Sequence, residues 1–428
     1  MSIASARDVA CQALVRIEDG AYSHVVLPTI LRASGLEARD RAFVTDIVYG
    51  TVRGQRRLDH MLTPHGRRPL GSLDAEVRAA LRIGAHQLAN GVPPHAAVAA
   101  TVDAAPPRAR GYVNAVLRSL SRAGPPWPDP TSEAVALSYP DWVLQRLAED
   151  LGDADARAAL LACNEPPAVA LRPQMLLTTS DALEAELRAG GAQVERGRLV
   201  DDALVVRGAG DLAAHPALAE GRATPQDQAS QAVIRYADPT PGARVLDVAS
   251  APGGKATATA ERVGPDGLVV ALDLDAGRLR LVREAATRLR LSNVSTARAD
   301  ARRLPTRLGA FDLVVVDAPC SGLGALRRRP DLRWRVDPSM LEPLADLQVA
   351  LVREAAGAVR PGGTLLYSVC TPTQVETVGV AARVIEQLPG FTPLAPPPGW
   401  RPHGPGGLVL PQDFGTDGMF ILALRCGR

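Results

Sequence analysis

The stretch Arg244–Glu261, RVLDVASAPGGKATATAE, constrains the fold more than any other part of the chain. Val245, Leu246 and Val248 form a short apolar run broken by Asp247, the pattern of a buried strand leading into a site. Ser250, Ala251, Pro252, Gly253 and Gly254 end that strand in a tight turn, and the Ala/Thr-rich segment from Ala256 can begin a helix. A glycine turn between strand and helix lets backbone N–H groups approach a ligand closely, with the helix N-terminus favouring negative charge. Asp273 lies 20 residues after Gly253, at the end of a second apolar run, LVVALDLD. That is the spacing of an acid that holds ribose hydroxyls, so the combination predicts a nucleoside-binding α/β unit. A Walker A loop is excluded, because positions 249 and 256 are both alanine, and the G-x-G-x-x-G fingerprint is absent. Lys255 is the single lysine among 48 basic residues. This position keeps a compact ammonium that arginine does not mimic.

From about Thr224 the pattern alternates strand and helix. Strands are predicted over Arg244–Ser250, Leu268–Asp275, Val294–Asp300, Phe311–Ala318 and Gly363–Cys370, with a hairpin-like pair in LVLPQDF and GMFILALRC. Such alternation specifies a parallel sheet covered on both faces, with ligands at the C-terminal edge of the strands. Upstream, residues 7–122 read as helical throughout, with apolar positions at three- and four-residue spacing. Up to Gly124 there are 16 arginines against 10 acids, which makes this module an RNA-binding candidate beside the plainer reading of a solvated helical bundle. The segment Gly124–Pro130 is a proline-rich boundary, and the residues beyond it suggest a small mixed subdomain without recognisable chemistry. The expected domains are therefore 1–128, 129–223 and 224–428.

Composition narrows the function classes. No run of eighteen apolar residues predicts a membrane span, and the N-terminus lacks the basic head and apolar stretch of a secretory signal. Five cysteines without paired spacing suit reduced thiols in a cytoplasmic protein, and the absence of CxxC or His/Cys clusters argues against a metal site. A net charge of +2 means that nucleic-acid binding must come from local patches. A monomer is expected.

Chemistry concentrates at the predicted strand ends. Asp300 ends the third strand, where it could accept from an exocyclic amine. FDLVVVDAPCSG ends the fourth with Asp317, Pro319 and Cys320, and GGTLLYSVCT ends the fifth with Cys370. A lone cysteine is usually a buried thiol. Two of them, beside an acid and a nucleoside turn, suit pyrimidine chemistry. Carbon 5 of a pyrimidine becomes nucleophilic only after a thiolate adds to carbon 6, and it can then attack an electrophilic methyl group. An acid near N3 stabilises the charge that develops, and a base must remove the carbon 5 proton before the thiolate can leave. Spacing alone leaves open which thiol attacks, and analogy with the Pro-Cys motif of DNA cytosine methyltransferases favours Cys320.

The stretches ASAPGGK, VVALDLD, ARADARRLP, DAPCSGLGALRRRPDLRW, LLYSVCT and GTDGMFIL resemble the bacterial RsmB/Sun (Fmu) family of ribosomal RNA cytosine-5 methyltransferases. The N-terminal helices resemble that subfamily's NusB-like RNA-binding domain. The resemblance implies an all-α NusB-like N-terminal domain, a small α+β linking subdomain and an α/β Rossmann-like class I methyltransferase domain. It implies S-adenosyl-L-methionine as cofactor, contacted by Ala249, Ser250, Ala251, Pro252, Gly253, Gly254 and Lys255, and by Asp273, Asp300 and Asp317. It also implies Cys370 as nucleophile and Cys320 as the thiol that helps release product, with Asp317 catalytic beside them. Two positions depart from the family pattern, which usually has cysteine at Ala249 and threonine at Val369. The second departure would remove a hydroxyl near Cys370.

Leu326–Arg335, LRRRPDLRWR, carries five arginines and a tryptophan against one aspartate. Arginine with an aromatic suits a single RNA strand, so Arg327, Arg328, Arg329, Arg333 and Trp334 are expected to contact RNA, against the alternative of a solvated loop. The expected activity is methyl transfer to carbon 5 of a cytosine in RNA, with small-subunit (16S) ribosomal RNA foremost. The alternatives are the same chemistry on tRNA or another RNA, and a non-catalytic RNA-binding factor.

Overall fold

A computed structural model describes residues 5–210, 212–304 and 310–427. The chain forms two compact units: residues 1–148 with Arg328–Val336, and residues 149–327 with Asp337–Arg428.

The first unit is helical, as the apolar spacing predicts. Its main helices are Ala6–Glu18, Ser23–Ala33, Ala38–Leu62, Ala75–Ala89, Pro94–Ala104 and Arg110–Ala123. The first begins on a capping box, in which Ser5 accepts from the Asp8 N–H and the Asp8 carboxylate accepts from the Ser5 N–H. Two apolar clusters fill the unit, one around Val9, Leu27, Ile47 and Ile83, the other around Met61, Leu81, Val113 and Leu117.

The nine residues Arg328–Val336 also belong to this unit, although they sit in the sequence beyond the DAPC motif. The Arg333 guanidinium is fully buried, 3.9 Å over the Tyr139 ring, and donates to the carbonyls of Arg53 (3.0 Å) and Ser138 (3.2 Å). Trp334 donates its indole N–H to the Val52 carbonyl at 2.8 Å. Asp331 accepts from both the backbone N–H and the hydroxyl of Ser23, and Arg335 stacks 4.0 Å over Tyr22.

In the second unit, strands β1 (Val169–Pro173), β2 (Gln193–Arg196), β3 (Leu204–Arg207) and β4 (Ala223–Pro225) form an antiparallel sheet ordered β2-β3-β1-β4, with helix Ser180–Ala189. The larger sheet contains β5 (Arg244–Val248), β6 (Leu268–Asp273), β7 (Val294–Arg298), β8 (Phe311–Asp317), β9 (Val359–Val369), β10 (Phe391–Pro393), β11 (Arg401–His403), β12 (Gly406–Val409) and β13 (Met419–Cys426). Its order is β11-β12-β13-β9-β8-β5-β6-β7, with β10 also paired to β13. Strands β5 to β9 run parallel and β13 is antiparallel to β9. Val245, Leu313, Val315 and Leu366 face one helical layer, while Leu246, Val248, Val314, Val316 and Leu365 face the other. Burial on both faces explains the near-continuous apolar runs of these strands. Strand β9 begins earlier than Gly363, at Val359, through an irregular pairing with β8.

The two sheets are joined by a buried ion pair. Arg172 on β1 reaches Glu261 at 3.0 Å and donates to the Thr257 hydroxyl at 3.0 Å. Both partners lie on the helix Gly254–Val263 that follows the glycine turn. Among the described residues no helix is long and apolar enough to cross a membrane.

Candidate functional site

Strand order reverses between β5 and β8, and ligands of open α/β sheets bind beyond the strand ends at such a point. The chain leaves β5 through Ala249, at φ 57°, and Gly253, at φ 101°. A side chain on Gly253 would come within 3.1 Å of the Val282 backbone, so glycine there lets helix Ala276–Arg288 close on the turn. Ser250 donates its N–H to the Leu272 carbonyl at 2.8 Å, which fixes the turn against β6. Asp273, at the end of β6, accepts from the N–H groups of Ala251 (3.2 Å) and Asp275 (3.0 Å). The predicted ribose acid therefore stands directly beside the glycine turn. Asp300 lies one strand further out, beyond β7. Its carboxylate is held down to about 2 by the Arg302 side chain at 2.7 Å and the Arg302 N–H at 3.0 Å.

Lys255 is buried and places Nζ 2.6 Å from Asp317 Oδ2, while Asp317 Oδ1 accepts from the Ser368 hydroxyl at 2.9 Å. Asp317 and Ser368 are register partners at the ends of β8 and β9. Cys320 follows three residues after the first and Cys370 two after the second, and the two half-buried thiols lie 3.4 Å apart. Contact with Cys370, then burial, then the charges of Glu376 and Asp317 push the Cys320 thiol well above its ordinary value. Val369 is fully buried on the sheet face of Tyr367 and Leu365, whereas Cys370 packs against the opposite layer. The side chain at 369 therefore faces the layer opposite to that of Cys370, the one against which Cys320 packs.

Asp247 and Glu376 escape a reading of the sequence. Asp247 is fully buried, accepts from Ser250 Oγ at 2.8 Å, and leaves Oδ1 without a partner. Burial lifts its carboxyl to about 7, with the nearby Asp317 and Asp273 adding to the shift and Lys255 and Ser250 opposing it. A carboxylate inside a buried strand was the available signal. Glu376 sits in TPTQVETV, which carries no recognisable pattern.

The donor set fits S-adenosylmethionine. That molecule carries a sulfonium and an ammonium against one carboxylate, and Asp247 feels the charges of Asp317 and Asp273, with Lys255 paired to Asp317 and Arg278 3.7 Å from Asp273. A cation bound near these acids would offset the repulsion that Asp317 and Asp273 exert on Asp247.

The arginine-rich loop is placed differently from the expectation. Arg333 has no exposed surface and cannot meet RNA, and the Trp334 indole N–H is taken by the Val52 carbonyl inside the helical unit. Both are packing residues because the loop packs against the helices of that unit. Arg327 donates to the carbonyls of Gly415 (2.7 Å), Glu165 (3.3 Å) and Pro166 (3.3 Å). Arg328 is exposed and Arg329 half-buried.

Residues 235–425 match the 16S rRNA methyltransferase RsmB/F family, residues 4–122 the NusB family, and residues 139–213 the ferredoxin-like domain of RsmF/B-like methyltransferases. The chain is 34% identical to the probable ribosomal RNA small subunit methyltransferase B of Bacillus subtilis, over 99% of both chains. It is also 34% identical to ribosomal RNA small subunit methyltransferase B of Thermus thermophilus, over 99% of this chain and 98% of that one. Among solved structures, that of PH0851 is 25% identical and superimposes with a TM-score of 0.85 over 99% of both chains. NSun6 from Pyrococcus horikoshii with SFG, 22% identical, shares the fold at a TM-score of 0.61 over 68% of this chain and 98% of that one.

Proposed function

Because the chain belongs to the RsmB/F family of 16S rRNA methyltransferases, with their S-adenosylmethionine-dependent fold, we propose that it methylates carbon 5 of a cytosine in small-subunit ribosomal RNA through a covalent cysteine–cytosine adduct. The observation that carries this reading is the pair of thiols 3.4 Å apart beside the Lys255–Asp317 ion pair. Methyl transfer to an exocyclic amine needs no thiol, whereas attack from carbon 5 needs one to add to the ring and a second group to release it.

Asp273 holds the ribose hydroxyls of the cofactor, Asp300 its adenine amine, and the turn from Ala249 to Lys255 its amino-acid end. When bound there, S-adenosylmethionine supplies an electrophilic methyl group for carbon 5. The Cys370 thiolate forms a bond to carbon 6 as the C5=C6 π pair moves towards carbon 5. The C5=C6 pair becomes the C4=C5 bond, the C4=N3 pair moves to N3, and N3 takes the proton that the Lys255 ammonium passes through Asp317, returning it on elimination. Lys255 and Ser368 hold that carboxylate by its two oxygens, which fixes the edge against which the ring is set. In the last step Cys320, as thiolate, takes the carbon 5 proton, the S–C6 bond breaks to release Cys370 as thiolate, and the C5=C6 bond re-forms. The target base must leave its stack to reach these groups. The helical unit, with its surplus of arginine, recruits the RNA.

Purified enzyme with labelled cofactor should methylate 16S rRNA at one cytosine, mapped by base-resolution sequencing, and leave transfer RNA unmodified. Cys370→Ala should be inactive and form no adduct, while Cys320→Ala should accumulate a covalent protein–RNA complex on a denaturing gel. Label in transfer RNA alone would move the substrate, and adduct in Cys370→Ala but not in Cys320→Ala would reverse the two roles.

A further inference from the structure

The two thiols lie on separate loops, so something must keep them 3.4 Å apart. Backbone pairing does part of this, since the Gly324 N–H donates to the Cys370 carbonyl at 2.9 Å. The rest converges on one side chain. Glu376 is fully buried, six residues after Cys370, and its carboxylate accepts four donors. Oε1 takes the Ser321 N–H at 2.8 Å and Gln348 Nε2 at 3.1 Å. Oε2 takes the Ser321 hydroxyl at 2.5 Å and the Thr373 hydroxyl at 2.9 Å. Gln348 Nε2 also donates to the Pro319 carbonyl at 2.9 Å, so Cys320 is flanked on both sides by residues tied into this cluster. The backbone carbonyl of Glu376 accepts from the Tyr367 hydroxyl at 2.6 Å, and Tyr367 lies on β9, three residues before Cys370.

We propose that Glu376 is a positioning residue for the methyl-transfer reaction: its buried carboxylate clamps the Cys320 loop to the Cys370 strand end and sets the spacing of the two thiols. The proposal rests on the thiol chemistry argued above. A fully donor-saturated carboxylate is a costly way merely to fill a core, because an apolar residue of similar volume would serve packing as well. What a carboxylate adds is four directional bonds, three to the two thiol loops and one to Gln348 on helix Leu341–Ala356, and a fixed negative charge near Cys320. After contact with Cys370 and burial, that charge pushes the Cys320 thiol further up, so the same group both places that thiol and acts on its titration.

The test uses the full-length chain with Glu376→Gln and Glu376→Asp. Glutamine keeps the volume but replaces two of the four acceptor positions with donors and removes the charge. Aspartate keeps the charge but shortens the reach. Calorimetric affinity for S-adenosylmethionine should stay within about twofold of wild type in both, which shows that the fold and cofactor site persist. Alkylation by iodoacetamide, followed at each cysteine by mass spectrometry from pH 6 to pH 10, should show the Cys320 profile moved to lower pH in Glu376→Gln. In Glu376→Asp that profile should be largely restored. Turnover on RNA should fall at least tenfold in Glu376→Gln with the cofactor KM unchanged. If Glu376→Gln fails to fold, Ser321→Ala removes one donor to Oε2 and should change the alkylation profile and turnover in the same direction by a smaller amount. An alkylation profile equal to wild type in the folded variant overturns the proposal. The alkylation arm needs no RNA, so a wild-type enzyme that methylates no cytosine would refute the functional reading alone.

Discussion

Replacing Asp247 by asparagine should flatten the dependence of stability on pH. The carboxyl is fully buried with one oxygen unpartnered, and burial first of all, reinforced by Asp317 and Asp273, lifts it from 3.8 to about 7. Between those values the folded protein keeps a proton that the unfolded chain has lost. Stability from this group is therefore greatest in acid, falls as pH rises from roughly 4 to 7, and levels off above that. The whole loss amounts to about 4 kcal/mol, more than half of it between pH 5 and pH 8. Asparagine is neutral throughout and should remove that part of the slope. Urea unfolding of both proteins at pH 5 and pH 8, without cofactor, measures the difference directly. Equal loss of stability by wild type and Asp247→Asn over this interval would refute the assignment of the slope to Asp247. The cost in the free protein also states its use, since a cationic ligand gives the ionised carboxylate a partner. Affinity for S-adenosylmethionine at pH 8 should therefore drop in the variant, and calorimetry reads that separately.

Glu261→Ala leaves the buried Arg172 guanidinium without its counter-ion and should destabilise the second unit by about 3–5 kcal/mol, with the double variant Arg172→Met/Glu261→Ala recovering part of this in urea unfolding. Gly324→Ala would place a methyl 2.3 Å from the Gly418 carbonyl and 2.9 Å from that of Cys370, so it should lower stability by about 1–3 kcal/mol and reduce RNA methylation by spreading the thiol loops. Asp300→Ala breaks only an exposed pair with Arg302, so its melting temperature should barely move, while cofactor affinity falls roughly tenfold for one lost charge-assisted hydrogen bond.

The large sheet was legible because its strands are buried on both faces and so spell out apolar runs that end in polar residues. Each such ending, at Ser250, Asp273, Asp317 and Cys370, lies at the edge where the sequence places it. The helical module was equally legible from its periodicity. What the sequence could not supply were contacts across loops. Glu376 reads as one acid in a polar stretch, and only the fold brings Ser321, Gln348 and Thr373 to it. The arginine-rich loop misled for a related reason. An arginine and a tryptophan have the same composition whether they face a nucleic acid or cap backbone carbonyls in a core. For Arg333 the carbonyls of Arg53 and Ser138, distant in sequence, decide it.

That excursion of Arg328–Val336 into the helical unit also has a consequence for the nascent chain. On the ribosome, the helices from Ala6 to Ala123 emerge long before the segment that completes their unit. The intervening residues 149–327 take roughly 10–40 s to make at about 5–20 residues per second. Throughout that interval Ser23, Tyr139 and the carbonyls of Val52 and Ser138 lack the partners that later cover them. The N-terminal helices are thus exposed to chaperones, or to one another on neighbouring ribosomes, for much of synthesis. A chain released before Arg328 carries every one of those helices and none of the side chains that seal them.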